Sequence, residues 1–198
     1  GYTITDDAAA VAGSSTTILD DSDSVSVTGF ANASQGVTIN GFDGATPTTT
    51  ITFNVVDSAS ALAAANFEDS GNLDLAYSVV VGGDAGDAGT DLTVSAADDL
   101  NAISNYDHAG GYTITDDAAA VAASSTTILG DSDSVTVTGF ANASQGVTIN
   151  GFEDTLGTIT FNVRDNGDGL HGQLGQDQDL SHADTVELTN NDGALVLD

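Results

Sequence analysis

The chain has 198 residues, of which 30 are acidic and one, Arg164, is basic, for a formal net charge of −29. That balance excludes polyanionic partners such as nucleic acid and anionic lipid, and the lack of Cys excludes a disulfide framework. Hydrophobic residues make up 40%, mostly Ala and Val with seven Phe, four Tyr and no Trp or Met, so the core is light, and no apolar run reaches the eighteen or so residues of a membrane span.

Three of the acids are Glu (Glu68, Glu153, Glu187) and the other 27 are Asp. Asp suits loops: its short side chain caps helices, tolerates turns and binds hard cations. At this charge density self-repulsion opposes compaction unless counter-ions neutralise it. The absence of Lys also rules out isopeptide cross-links, and the lone Arg leaves trypsin-like proteases one cleavage point, which fits an extracellular protein. With no initiator Met and no basic segment ahead of an apolar stretch, the chain reads as a processed protein or an excerpt.

Taken in chain order, Tyr2–Thr5 (YTIT) alternates as a strand. Asp6 and Asp7 then supply an N-cap ahead of AAAVAGSSTTIL, read as a helix with Val11, Ser15, Ile18 and Leu19 on one side. Asp20-Asp21-Ser22-Asp23 ends it in a loop. SVSVTGF, GVTINGF and TTITFNVV alternate with period two and are read as strands, with Val25, Val27, Val37, Ile39, Ile51, Phe53 and Val55 facing inward. An Ala-rich helix near Ala59–Phe67, a strand over Leu73–Val81, a flexible GGDAGDAG loop, a TDLTVS strand and an AADDLNAISNY helix follow.

At Gly111 the pattern restarts. Gly1–Phe42 and Gly111–Phe152 differ only at Gly13/Ala123, Asp20/Gly130 and Ser26/Thr136, and ITFNVVD (Ile51–Asp57) returns as ITFNVRD (Ile159–Asp165). Such agreement at positions expected to be exposed means recent duplication or one surface used twice. The expected fold is mainly β with short helices: tandem repeated β-rich domains, sandwich-like or solenoid-like, over 1–110 and 111–198. The second diverges after Asp165 into a Gly/Asp-rich stretch with strands at Thr185–Thr189 and Ala194–Leu197.

Paired Asp residues at loop positions are the candidate metal ligands: Asp6/Asp7, Asp20/Asp21/Asp23, Asp116/Asp117 and Asp131/Asp133. Calcium takes six to eight oxygens, commonly carboxylates and carbonyls of a tight loop; the plain alternative is a solvated acidic loop beside a capped helix. Asp165-Asn166-Gly167-Asp168-Gly169 looks like part of a calcium loop without EF-hand spacing. His171 and His182, near Asp177, Asp179 and Asp184, suit a transition metal, though a loop role is the commoner fate of such His residues, His108 included. Asn32-Ala33-Ser34 and Asn142-Ala143-Ser144 are N-x-Ser sequons, or else turns between strands; Thr46–Thr50 offers O-glycan acceptors or a plain loop.

Gly86-Asp87-Ala88-Gly89-Thr90-Asp91-Leu92, within Gly82–Val94, partly resembles the Gly-Gly-x-Gly-x-Asp-x-apolar-x nonapeptide of haemolysin-type (RTX) calcium-binding proteins. The strand–Asp–helix–strand unit, the VTINGF…ITFNV run and the lack of Lys and Cys are similar to RTX-associated and S-layer-like surface proteins. That resemblance implies secretion, calcium-dependent folding with Asp84, Asp87 and Asp91 as further ligands, and a place in a coat, filament or adhesin. No G-x-S-x-G, CxxC, HExxH, P-loop or dinucleotide fingerprint is present, so an enzyme is not expected. The expected function is that of a calcium-stabilised extracellular structural module that self-associates into a polymer or array. The alternatives are a glycan- or host-surface-binding adhesin domain using Tyr77, Tyr106 or Phe67, and a haloarchaeal surface protein whose acidity answers to salt.

Overall fold

The computed structural model describes residues 1–45, 49–66, 71–82, 91–108, 111–157, 159–174 and 178–189. They form two compact units, one of Gly1–Thr90 with Ser95–Gly111, the other of Asp91–Val94 with Tyr112–Asp198. Every strand pair in both is parallel, and a parallel neighbour requires a crossover rather than a hairpin.

In the first unit β1 (Thr3–Asp7) is followed by α1 (Ala8–Ala12), α2 (Thr16–Asp20), β2 (Ser24–Thr28), α3 (Ala33–Ala45), β3 (Thr50–Thr52), β4 (Asn54–Asp57), α4 (Ala59–Ala65) and β5 (Ser78–Val81). β1, β2 and β3 form one ladder in that order, with Ile4 beside Val25 and Val25 beside Ile51. A second row runs Ala31, Val55, Val79, Tyr106, built from the β4–β5 pair and two isolated bridges. Between the rows the chain turns. After β2 it does so at Gly29, whose φ of +74° lies in the left-handed region that glycine adopts without penalty. Between β3 and β4 the corner residue is the fully buried Phe53.

The second unit begins with β6 (Asp91–Leu92), where α5 (Val94–Asn101) also starts, and resumes with β7 (Thr113–Asp117), α6 (Ala118–Ala123), α7 (Thr126–Gly130), β8 (Ser134–Thr138), α8 (Ala143–Leu156), β9 (Ile159–Thr160), β10 (Asn162–Asp165), α9 (Gly167–Leu174) and β11 (Thr185–Leu188). β6 to β9 form a ladder in chain order; Ala141, Val163 and Val186 make the second row. Fully buried Leu129, Ile114, Ile149 and Phe161 fill the space between sheet and helices.

This overturns the mainly-β expectation. Among the described residues nine helices accompany eleven short strands, and each unit is an α/β stack of strand–helix coils, neither a sandwich nor a tandem β repeat. The decisive segment is GVTINGF, which lies inside α3 and α8 and is no strand. Ala33, Gly36 and Ile39 are buried, as are Ala143, Gly146 and Ile149, a three-residue spacing that only a helix puts on one face. Asn142 and Gln145 start α8 with a reciprocal capping box, and Asn32 and Gln35 make the same pair of hydrogen bonds at α3.

Smaller differences have local causes. The helix read across residues 8–19 breaks into α1 and α2. The helix near 59–67 ends at Ala65, and Phe67 lies outside the described residues. The strand expected over 73–81 keeps only Ser78–Val81. TDLTVS contributes two strand residues before Val94 begins a helix. Ala194–Leu197 lies outside the described residues.

Candidate functional site

Five of the carboxylates singled out by sequence, Asp6, Asp7, Asp116, Asp117 and Asp165, lie at one kind of place, the C-terminal ends of strands, where helices begin. Asp7 Oδ1 accepts from the Ala10 amide at 2.8 Å and caps α1; Asp117 Oδ1 accepts from the Ala119 and Ala120 amides at 2.9 Å and caps α6. These are local N-caps, each satisfying helix amides that have no intrahelical partner.

The residue before Asp117, and its equivalents Asp57 and Asp165, reach further. Asp116 Oδ1 accepts from Asp117 N, while Oδ2 accepts from the Val94 amide at 2.9 Å, at the start of a helix 22 positions earlier. Asp57 accepts from Ser58 N and, at 2.9 Å, from Ala33 N at the head of α3. Asp165 does the same with Asn166 N (2.7 Å) and Ala143 N (2.9 Å) at the head of α8. One carboxylate therefore fastens its own strand end to the helix of the preceding coil. The negative charge also sits at the positive end of that helix. Asp6, the counterpart of Asp116, accepts from Asp7 N through Oδ1.

Sequence reading missed Asp57 in this role. The signal was available: Ile4-Thr5-Asp6-Asp7-Ala8, Val55-Val56-Asp57-Ser58-Ala59 and Val163-Arg164-Asp165-Asn166-Gly167 share an apolar–x–Asp–polar–small pattern. Replacing Asp165 by Ala should cost the second unit about 1–2 kcal/mol, as for other lost helix caps. Asn at the same position, which keeps one acceptor oxygen, should recover part of that in urea melts. Equal stability of all three proteins would show that the two amides do not need the carboxylate.

The remaining acids do not converge. Asp20 ends α2 and Asp21 is its C-cap, both exposed, while Ser22 points inward: its hydroxyl donates to the Leu19 carbonyl at 2.7 Å and its carbonyl accepts from the Thr49 hydroxyl. Asp23 and Asp133 donate their main-chain amides to the Tyr2 and Tyr112 carbonyls. Asp131 is the C-cap of α7, and Asp91 accepts from the Thr113 hydroxyl at 3.2 Å. Asp165–Gly169 is a helix start: Asn166 Oδ1 accepts from Gly169 N, and Asp168 lies exposed in the first turn of α9. Asp84 and Asp87, with most of the nonapeptide-like stretch, lie outside the described residues. Among the described residues no group of three or more His, Cys, Asp or Glu is placed to hold a metal ion.

His182 Nε2 lies 2.8 Å from Asp154 Oδ1 at the surface, and the His182 amide donates to the buried Asn150, which in turn donates to Asp179. The Ser181 amide and hydroxyl, then Asn150 and His182, hold the Asp179 carboxyl below the ordinary carboxylate range. Asn40 plays the part of Asn150 in the first unit, accepting from Leu75 N at 2.9 Å and donating to the Gly71 carbonyl. These asparagines tie helix to following loop. His171 is exposed in the last turn of α9, and His108 packs edge-on against Tyr106 with ring centroids 4.8 Å apart. Asp177 lies outside the described residues.

Arg164 lies with its guanidinium carbon 3.5 Å from the centre of the Phe140 ring and donates through Nε and Nη2 to Glu187 Oε2. The first copy has Val56 there, and its Phe30 is 60% exposed. Of the aromatics named for ligand binding, Tyr77 is 76% exposed, whereas Tyr106 is buried and unavailable. A shallow, open cleft of about 460 Å³ between α3 and α4 is lined by Ala33, Ser34, Val37, Ala61 and Ala64, and its one carboxylate is the already committed Asp57. Both sequon residues, Asn32 and Asn142, are exposed, each with its amide oxygen accepting from a helix amide. Among the described residues no helix is long and apolar enough to cross a membrane.

No family model matches the chain, and no curated protein or solved structure matches it either.

Proposed function

We propose that this chain is a non-catalytic structural repeat module of an extracellular assembly, a filament, coat or adhesin at a bacterial or archaeal surface. In this reading cations, calcium foremost, sit among its carboxylates. The observation that carries this reading is the commitment of the strand-end aspartates. In both copies they hold helices to strands, and among the described residues these carboxylates are spent on main-chain amides and not gathered around a cleft. A surface repeated nearly residue for residue is what an array uses, since each unit must present the same contacts. With 30 acids against one Arg, ions must screen the self-repulsion of any dense packing of such units.

The test is sedimentation velocity with negative-stain electron microscopy across a range of protein concentrations, in low salt, with millimolar calcium and with EDTA, alongside thermal melts. The expected result is concentration-dependent polymer promoted by calcium, and a lower melting temperature in chelator. A compact monomer, metal-free in dilute low-salt buffer and indifferent to EDTA, overturns both the assembly and the ion reading. Stability that tracks molar NaCl or KCl and ignores millimolar calcium transfers the acidity to a halophilic setting. Exposed Tyr77 and Phe30 favour one second reading, a glycan-binding adhesin domain, which a glycan array reads directly.

A further inference from the structure

The two copies differ systematically on one outer face. In the second unit Arg164 and Glu187 are ladder neighbours on β10 and β11. The Arg164 guanidinium bonds Glu187 at 2.6 Å and lies 3.5 Å from the centre of the Phe140 ring. In the first unit the same two ladder positions, on β4 and β5, hold Val56 and Val80. The aromatic is unchanged, as Phe30. Phe140 is 40% exposed and Phe30 is 60% exposed. The backbone beside the two rings is alike, since among the described residues Ala31 and Ala141 each form one bridge, to Val55 and Val163. What the first copy lacks is the guanidinium.

The rest of that face is set by strand alternation. Val55 and Val79 are fully buried, so Val56 and Val80 turn to the opposite, outer side, where both are half-buried. Tyr106 stands beside Val79 and is buried, and the Asp107 amide donates to the Val79 carbonyl at 2.8 Å. Asp107 therefore follows Val80 on the outer side, and it is exposed. An aromatic ring, an aliphatic floor and a carboxylate lie in strand order. Phe30 and Asp107 are three strand spacings apart, about 14 Å.

We propose that this face of the first unit docks a basic segment of another protein, with an arginine stacked on Phe30. The second copy supplies the template, an identical phenylalanine at the same corner already covered by a guanidinium. The aliphatic stem of the incoming arginine lies along Val56 and Val80, as long basic side chains do on apolar surface. Asp107 pairs with a second basic residue of the same segment. Charge selects the partner, because 30 acids attract a basic chain. A second copy cannot serve: this chain has no Lys, and its one Arg is engaged on Phe140.

The probe is the acetylated, amidated peptide Arg-Ser-Val-Ser-Arg, whose end residues stand about 13 Å apart when extended. It is titrated into the whole chain in about 150 mM NaCl, which screens general attraction to an acidic surface. Phenylalanine ring signals are followed by NMR. The Phe30 ring should shift saturably while the Phe140 ring stays still. Phe30→Leu, at an exposed position that leaves melting unchanged, should weaken binding about fivefold, the scale of a lost exposed cation–π contact. Asp107→Asn should also weaken it, and the same peptide with Lys for Arg should bind less tightly. Val56→Arg with Val80→Glu rebuilds the arrangement of the second copy; it should move the Phe30 signals toward those of Phe140 and exclude the peptide. Equal shifts at both phenylalanines, or full affinity in Phe30→Leu, would reduce the effect to charge attraction and overturn the site. Equal binding of the Lys peptide overturns the stacked guanidinium, and no binding at all overturns the proposal outright. The assembly role is untouched by any of these results, since polymer formation decides it separately.

Discussion

Phe161→Ala should lower the stability of the second unit by about 3–5 kcal/mol, the range for removing a fully buried aromatic ring and leaving a cavity. Phe161 is 0% exposed and stands between β9 and β10, where the chain leaves one row of the ladder for the other. Its carbonyl also accepts the Asp184 amide at 2.9 Å, so the same residue fixes the approach of the following coil. In a core assembled mostly from Ala and Val, few neighbours are large enough to collapse into the space. Phe161→Leu, which restores much of the volume, should cost no more than about 1.5 kcal/mol. Because the chain holds two units, urea melts need hydrogen exchange beside them to show which unit loosens. Protection should fall across residues 134–165 first. A loss below about 1 kcal/mol would mean that the corner is not where the second unit is held.

Gly146→Val should be nearly as damaging, and it separates two ideas about glycine in a helix. A Cβ on Gly146 would stand 2.7 Å from Val163 Cγ2 and 3.0 Å from Leu180 Cδ2, both inside the core. Gly36, its counterpart, faces Val55 and Leu73 at 2.9 Å. The glycine is there to bring helix and sheet close together, and overpacking of this kind costs about 1–3 kcal/mol. Gly151 lies in the same helix with open space where its Cβ would be. Gly151→Ala should therefore stabilise by about 0.5–1 kcal/mol through helix propensity alone. Opposite signs at two glycines five residues apart are the expected result in thermal melts. The same sign at both would show that helix propensity, and not close approach, governs α8.

Those glycines also explain the largest misreading of the sequence. GVTINGF alternates apolar and polar residues and carries a β-branched run, both of which favour strand, and its two glycines disfavour helix. Tertiary packing overrides the propensity, because Ala143, Gly146 and Ile149 bury together only if the segment is helical. The local counter-signal was Asn-x-x-Gln immediately upstream, a helix start that looks like a turn and a glycosylation sequon when read without its third partner. Three segments that each looked like half-buried strands thus became one strand, one helix and two short strands in different rows, and the β-rich expectation failed with them.

The helix-holding role of the strand-end carboxylates was only partly legible in the sequence. Asp7 and Asp117 were readable as N-caps because their partners lie within three residues. Asp57, Asp116 and Asp165 were not, since the amides they hold lie 24, 22 and 22 positions earlier. Nothing in a linear pattern names that partner until the register of the ladder is known, and register follows from which side chains can be buried together.

By itself the sequence determined the charge, the duplication and the helix starts at Asp7 and Asp117, because net charge needs no geometry and a cap reaches only a few residues along the chain. Only the tertiary structure decided that the strands run parallel, that GVTINGF is helical, and that Tyr2 and Tyr112, in nearly identical surroundings, differ between 50% and 1% exposure. Burial is a property of what lies across the ladder, and two copies of one sequence need not share a neighbour.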